Sequence, residues 1–234
     1  MFKRNCQPSE PSVERRGGAG RGSRRGLPGF TLLETMMALI VIGVGVLAFV
    51  DAQTSFVRSN SWSSQASTAM LLGNEIREMV RRLPRHDPVT GLYFDATGAV
   101  AGWGREPGEV TAQDIDDIDD LDGIRFGNGG QMPGPIDATG AVIPAIAMDG
   151  TILVDTNGSN LPLQGWSQRV IVEKVDLYNF NIVRSPGYVQ ASSANIPGVA
   201  VDEFPLRVTV IVEFQGINDV TPQEVTRLTW VVPK

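Results

Sequence analysis

Gly29-Phe30-Thr31-Leu32-Leu33-Glu34, with the uncharged run 35–50 behind it, is the stretch on which the fold of this chain turns. A basic, glycine-rich leader ends at Gly29. An apolar run starts at Phe30 and carries one carboxylate, Glu34, near its beginning. From Phe30 to Val50 there are 21 residues. As a helix they reach about 30 Å, enough to span the hydrocarbon core of a bilayer. A secretory signal peptide carries its cleavage site after the apolar segment, at small residues. Here the recognisable junction lies before that segment, so a cut there leaves the hydrophobic helix on the mature protein. A glutamate inside a membrane is costly unless paired and so marks function. The other reading of Glu34 places it at the interface, solvated by headgroups.

The 234 residues allow one domain or two small ones. Their net charge of −6 conceals an asymmetry. Residues 1–29 hold seven basic side chains against Glu10 and Glu14, a net of +5, which leaves −11 for the remainder. A basic segment ahead of an apolar helix stays cytoplasmic, and the acidic remainder is exported. Topology explains the leader better than nucleic-acid binding does, since Phe2 is the only aromatic residue within it. An acidic exported part is equally poorly suited to capturing DNA. Cys6, the only cysteine, falls in the leader, so the part beyond Gly29 holds no disulfide.

The junction resembles the type IV prepilin signature, which type II secretion pseudopilins share. The matching residues are Gly29, Phe30, Thr31, Leu32, Leu33 and Glu34, preceded by Arg24 and Arg25. The resemblance implies that a prepilin peptidase removes residues 1–29 and methylates the new amino terminus at Phe30. It also implies that Glu34, then the fifth residue, acts in filament assembly, its charge compensated by the Phe30 amine of a neighbouring subunit. The implied partners are other pilin or pseudopilin subunits, the inner membrane, and a pilus or secretion assembly platform. Many type IV pilins close their C-terminal region with a disulfide, and this chain departs from that pattern. The aspartate-rich stretch 114–123, followed by Gly165-Trp166 and a late β region, is similar to that of minor pilins of the MSHA pilin D and PilV-like group, and the large cysteine-free distal part suits a minor role.

Beyond the membrane segment (30–53) no proline occurs until Pro84, so the helix is expected to run on to residue 83. Gly43 and Gly45 fall mid-span, where they permit local bending or close packing, or are ordinary membrane-helix glycines. Over 54–83, Phe56, Trp62, Ala66, Ala69, Met70, Leu72, Ile76, Met79, Val80 and Leu83 recur at helical spacings, as in an amphipathic helix with one buried stripe. Arg77, Arg81 and Arg82 suit the C-terminal end of the helix dipole, and Leu83-Pro84 ends it.

Residues 84–165 are rich in turn formers. Leu92-Tyr93-Phe94 and Ala99-Val100-Ala101-Gly102-Trp103 flank Asp95-Ala96-Thr97-Gly98 and predict a short hairpin. His86, the only histidine, has no Cys or His partner for zinc and reads as a surface residue at the helix end. In 114–122 there are six aspartates in nine residues. Carboxylates this dense repel one another unless solvated or neutralised. Calcium held by Asp116, Asp117, Asp119, Asp120 and Asp122 is one expectation, although the spacing is not that of an EF-hand loop. The other is an acidic surface loop anchored by Ile115, Ile118 and Leu121 at a spacing of three.

Residues 166–234 predict an antiparallel sheet. Val208, Val210, Val212 and Phe214 alternate with Arg207, Thr209, Ile211 and Glu213, giving one apolar and one mostly polar face. Thr226, Leu228, Trp230 and Val232 alternate similarly, and the connector 216–224 suits a hairpin between the two strands. A third strand is expected over 168–176, with Trp166 and Trp230 packing on the sheet. A sheet with one apolar face needs a cover, which the amphipathic half of the long helix supplies. The expected fold class is therefore α+β and pilin-like, one long N-terminal helix packed on a C-terminal antiparallel sheet.

Glycine phosphate loops, GxSxG, HExxH and a triad that one histidine serves are all missing. The chain reads as a structural protein rather than an enzyme. Two other readings stand beside the filament subunit. One is an exported soluble binding protein cut after Ala52, with Arg24-Arg25 as a twin-arginine signal. The other is a single-pass anchored periplasmic protein that is never cut. Neither accounts for Glu34 inside the apolar run or for the Gly29-Phe30 junction.

Overall fold

The computed structural model describes residues 29–194 and 196–234. Cys6, Arg24, Arg25 and the rest of the expected leader ahead of Gly29 lie outside them. The chain divides into two compact units, Met1–Thr54 and Ser55–Lys234.

In the first unit the dominant feature is the start of helix α1, Leu32–Val80. Thr31 is its N-cap: the Glu34 N–H donates to Thr31 Oγ1 at 3.3 Å, satisfying one of the orphan donors of the first turn. Thr31-Leu32-Leu33-Glu34 thus follows the Ser/Thr-x-x-Glu capping pattern. The large apolar side chains from Leu32 to Val50 are all exposed.

The second unit is built on a four-stranded antiparallel sheet in the order β3-β4-β5-β6. The strands are β3 Arg125–Gly127, β4 Trp166–Lys174, β5 Leu206–Phe214 and β6 Gln223–Val232, and a separate hairpin pairs β1 Tyr93–Phe94 with β2 Val100–Ala101. The expected hairpin 92–103 and the pairing of the last two strands are both present. Val208, Val210 and Val212 of β5 are fully buried with Val170 and Val172 of β4, and α1 covers them with Ala69, Leu72, Ile76, Met79 and Val80. Gly73 lets the helix approach closely, because a Cβ there would meet the side chain of Leu228. Trp166 is buried in this core and Trp230 packs against it, with Arg77 stacked over the Trp230 ring at 5.9 Å.

Several expectations are corrected. The helix ends at Val80, and residues 81–83 continue as tighter turns through Arg82 N–H to Met79 O and Leu83 N–H to Val80 O, ahead of Pro84. The buried stripe begins only at Ala69; Phe56, Trp62 and Met70 are exposed. The third strand is shifted to Trp166–Lys174, and a fourth strand of the sheet, β3, comes from the turn-rich region 84–165, where the sequence predicts only the 92–103 hairpin. The second face of β5 is not solvated either. Thr209, Ile211 and Glu213 are buried, since β5 is central and lies between β4 and β6. On that face Arg207 pairs with Glu173, Arg125 with Glu213, and Thr209 Oγ1 with Thr229 Oγ1.

The loops reuse one turn. Asp95-Ala96-Thr97-Gly98-Ala99-Val100 recurs as Asp137-Ala138-Thr139-Gly140-Ala141-Val142. In each copy the aspartate Oδ1 accepts from the N–H groups two and four residues on and from the threonine hydroxyl. The glycine sits at φ near +80° in both, a conformation that favours glycine. Asp155 repeats the backbone part of the pattern with Asn157 and Ser159.

Candidate functional site: the helix start and a buried acidic pocket

Two places gather the chemistry-bearing residues. At the start of α1, Gly29, Phe30 and Glu34 are exposed, and Glu34 stands in the first helical turn, where a negative charge complements the helix dipole. The capping hydrogen bond uses the backbone of Glu34, so among the described residues its carboxylate makes no hydrogen bond or ion pair. The α1 helix is long and apolar enough to cross a membrane. No residue of its most apolar 18-residue window is buried by the protein itself, although a signal sequence near the N-terminus has the same appearance.

The second place is the aspartate-rich stretch, and here the solvated-loop reading is overturned. Ile115, Ile118 and Leu121 do anchor it in the core. However, a short 3₁₀ turn at Asp119–Leu121 carries the chain inward, and Asp117, Asp119 and Asp120 are at most 1% exposed. The Asp117 and Asp120 carboxylates cap the turn reciprocally: Asp120 N–H donates to Asp117 Oδ1 at 3.0 Å, and Asp117 N–H to Asp120 Oδ2 at 3.4 Å. Burial, with the neighbouring carboxylates behind it, pushes Asp120 up to about 8 and raises Asp117 strongly.

The five aspartates expected to act together do not form one close set. Asp116, Asp117 and Asp120 stay together, with ligand oxygens within 4.8 Å of one another. Asp119 stays beside Asp117, the two carboxyl groups sharing a hydrogen bond, and is held as well by His86, its Oδ1 3.0 Å from Nδ1, and by Gly104, whose N–H donates to Oδ2. Asp122 accepts from Val172 N–H and so ties the turn to β4. Glu106 and Glu109 replace them, forming a second close set with Asp120. The sequence reading missed both; the only available signal was their position in Arg105-Glu106-Pro107-Gly108-Glu109, just upstream of the aspartates.

His86 is also not the surface residue expected. It is buried beside Trp103, and burial followed by the Arg85 charge lowers its pKa to about 4, so it is neutral at physiological pH. Lys174, at the end of β4, is buried as well. Its ammonium donates to the carbonyls of Pro186 and Val201, and burial lowers it to about 8. The alternation of β4 puts this lysine on the core face with Val170 and Val172.

No family model, no curated protein and no solved structure matches this chain.

Proposed function

We propose that this chain is a structural subunit of the type IV pilin kind, of the minor class. In this reading a prepilin peptidase cuts it between Gly29 and Phe30, and it enters a filament through its N-terminal helix. One observation carries the reading: among the described residues nothing buries the apolar start of α1, while the end of the same helix is core. Each large side chain in that segment gains about 1.5–3 kcal/mol on burial, so a membrane, and then the helices of neighbouring subunits, are its natural surroundings. The precursor is then a single-pass inner-membrane protein with the acidic unit exported.

Glu34 has the position this mechanism requires. Among the described residues its carboxylate makes no hydrogen bond or ion pair, and it stands four residues from the amine that cleavage at Phe30 creates. In a helix bundle it meets the amine of an adjacent subunit, which neutralises both charges. Exposed Phe56, Trp62, Met70 and Leu71 extend the apolar surface available to neighbouring helices.

Fractionation of a tagged chain tests the assignment. A pilus subunit is recovered in filaments sheared from the cell surface. A type II secretion pseudopilin, which has the same helix start, stays with the cell. Recovery as a free soluble protein in the exported compartment contradicts both.

A further inference from the structure

The geometry points to a calcium site formed by Glu106, Glu109, Asp116, Asp117 and Asp120. It is carried by the second unit alone and stands whether or not the chain assembles into filaments. Asp120 belongs to both close sets and so joins the other four carboxylates. Two oxygens bound to one calcium ion at about 2.4 Å can lie no more than ~4.8 Å apart, and the ligand atoms within each set meet that limit.

An independent observation also points to a ligand. Asp120 is 1% exposed, yet among the described residues its Oδ1 has no hydrogen-bond partner; Asp117 Oδ2 and Glu106 Oε2 likewise have no donor, their carboxyl neighbours being Asp119 and Glu109. A buried acceptor without a donor is destabilising, the more so when charged. None of the ion pairs among the described residues involves any of the five carboxylates. A divalent cation satisfies the orphaned oxygens and offsets the mutual repulsion together. The donors are all oxygens, with no imidazole or thiolate in either set, which selects a hard ion. Calcium accepts a flexible, carboxylate-rich shell, whereas magnesium demands a near-ideal octahedron and retains its waters.

The test is a calcium titration of the detergent-solubilised full chain after chelation, read by calorimetry and by thermal unfolding. The expected result is saturable binding of one ion below about 1 mM, the range of extracellular modules, with a rise in the unfolding temperature. Asp120→Asn should weaken binding at least about tenfold. Asp116→Asn, at an exposed position whose side chain makes no hydrogen bond, should keep the metal-free fold and still weaken binding. Three outcomes overturn the site: no heat or thermal shift with ~10 mM calcium, equal binding in the Asp116→Asn protein, or an equal effect of magnesium.

Discussion

Gln168 Nε2 donates to Leu72 O at 2.8 Å, joining the centre of the sheet to the covering helix at a fully buried point. The same side chain donates to Ile136 O at 3.0 Å and accepts from Ile136 N–H at 2.8 Å. One amide on β4 thus fixes the helix, the sheet and the long loop together, with every bond made inside the core. A buried polar group is tolerated on those terms, and it rigidifies what it joins.

Replacing Gln168 by Leu keeps the volume but strands the Ile136 amide and carbonyl. The expected loss is about 2–4 kcal/mol, read from urea unfolding of the full chain in detergent by tryptophan fluorescence. A loss within experimental error would mean that the loop is not held by this contact.

Gly127 ends β3 at φ +90°, and a Cβ added there would run into the backbone carbonyl of Trp166. Backbone cannot yield as a flexible side chain can. Gly127→Ala should therefore destabilise the sheet unit by about 2–3 kcal/mol, in the same unfolding measurement. An unchanged midpoint would place Gly127 in a region where the backbone relaxes freely.

In chelator, stability should pass through a minimum near pH 8. Asp120 titrates at about 8 when folded and in the ordinary carboxylate range when unfolded, so its stabilising proton is lost as pH rises towards 8; Asp117 acts in the same direction. Lys174, lowered to about 8, acts oppositely. Above pH 8 the folded state sheds a costly buried charge that the unfolded chain retains to about 10.5, so stability recovers. His86 matters only at lower pH: it resists charging when folded, so its contribution falls as pH drops below about 6.5 towards 4. Differential scanning calorimetry between pH 6.5 and 10 reads the minimum. A monotonic rise over pH 6.5–8 would show that the carboxylates are ionised at neutral pH without a cation.

Glu34 has two possible duties at the helix start, and glutamine separates them. Glu34→Gln keeps the capping pattern with Thr31, because Gln serves at that position as Glu does, but it cannot neutralise an amine. Leader removal should remain normal while incorporation into sheared filaments falls at least about tenfold, the loss of one charge pair of ~1.4 kcal/mol or more. Immunoblots of sheared and cell-bound fractions measure both. Full incorporation of the variant would leave Glu34 only its role as a helix residue.

The long helix and the sheet were legible because their signals are periodic. The apolar run to Val50, the gap in prolines to Pro84, and the alternation at Val208, Val210 and Val212 each admit few alternatives. What failed was whatever depends on residues distant in sequence. His86 and Asp119 are 33 positions apart, and neither signals that the other is its buried hydrogen-bond partner. Charge density at 114–122 suggested solvent, yet three isoleucine or leucine anchors pull the aspartates inside. Glu106 and Glu109 enter the pocket only because the loop from β2 returns beside the 3₁₀ turn. Strand β3 is three residues long and too short for alternation to register. Asp95-Ala96-Thr97-Gly98 reads as a hairpin turn, but its recurrence at Asp137 and the side-chain cap both copies share came only with the geometry.

The measurement closest to the central claim is the mass of the mature amino-terminal peptide, taken from membranes and from sheared filaments. A chain beginning at N-methylated Phe30, with residues 1–29 removed, is the expected result. A chain beginning at Gln53, or one still carrying its leader uncut in assembled material, would contradict the filament-subunit account.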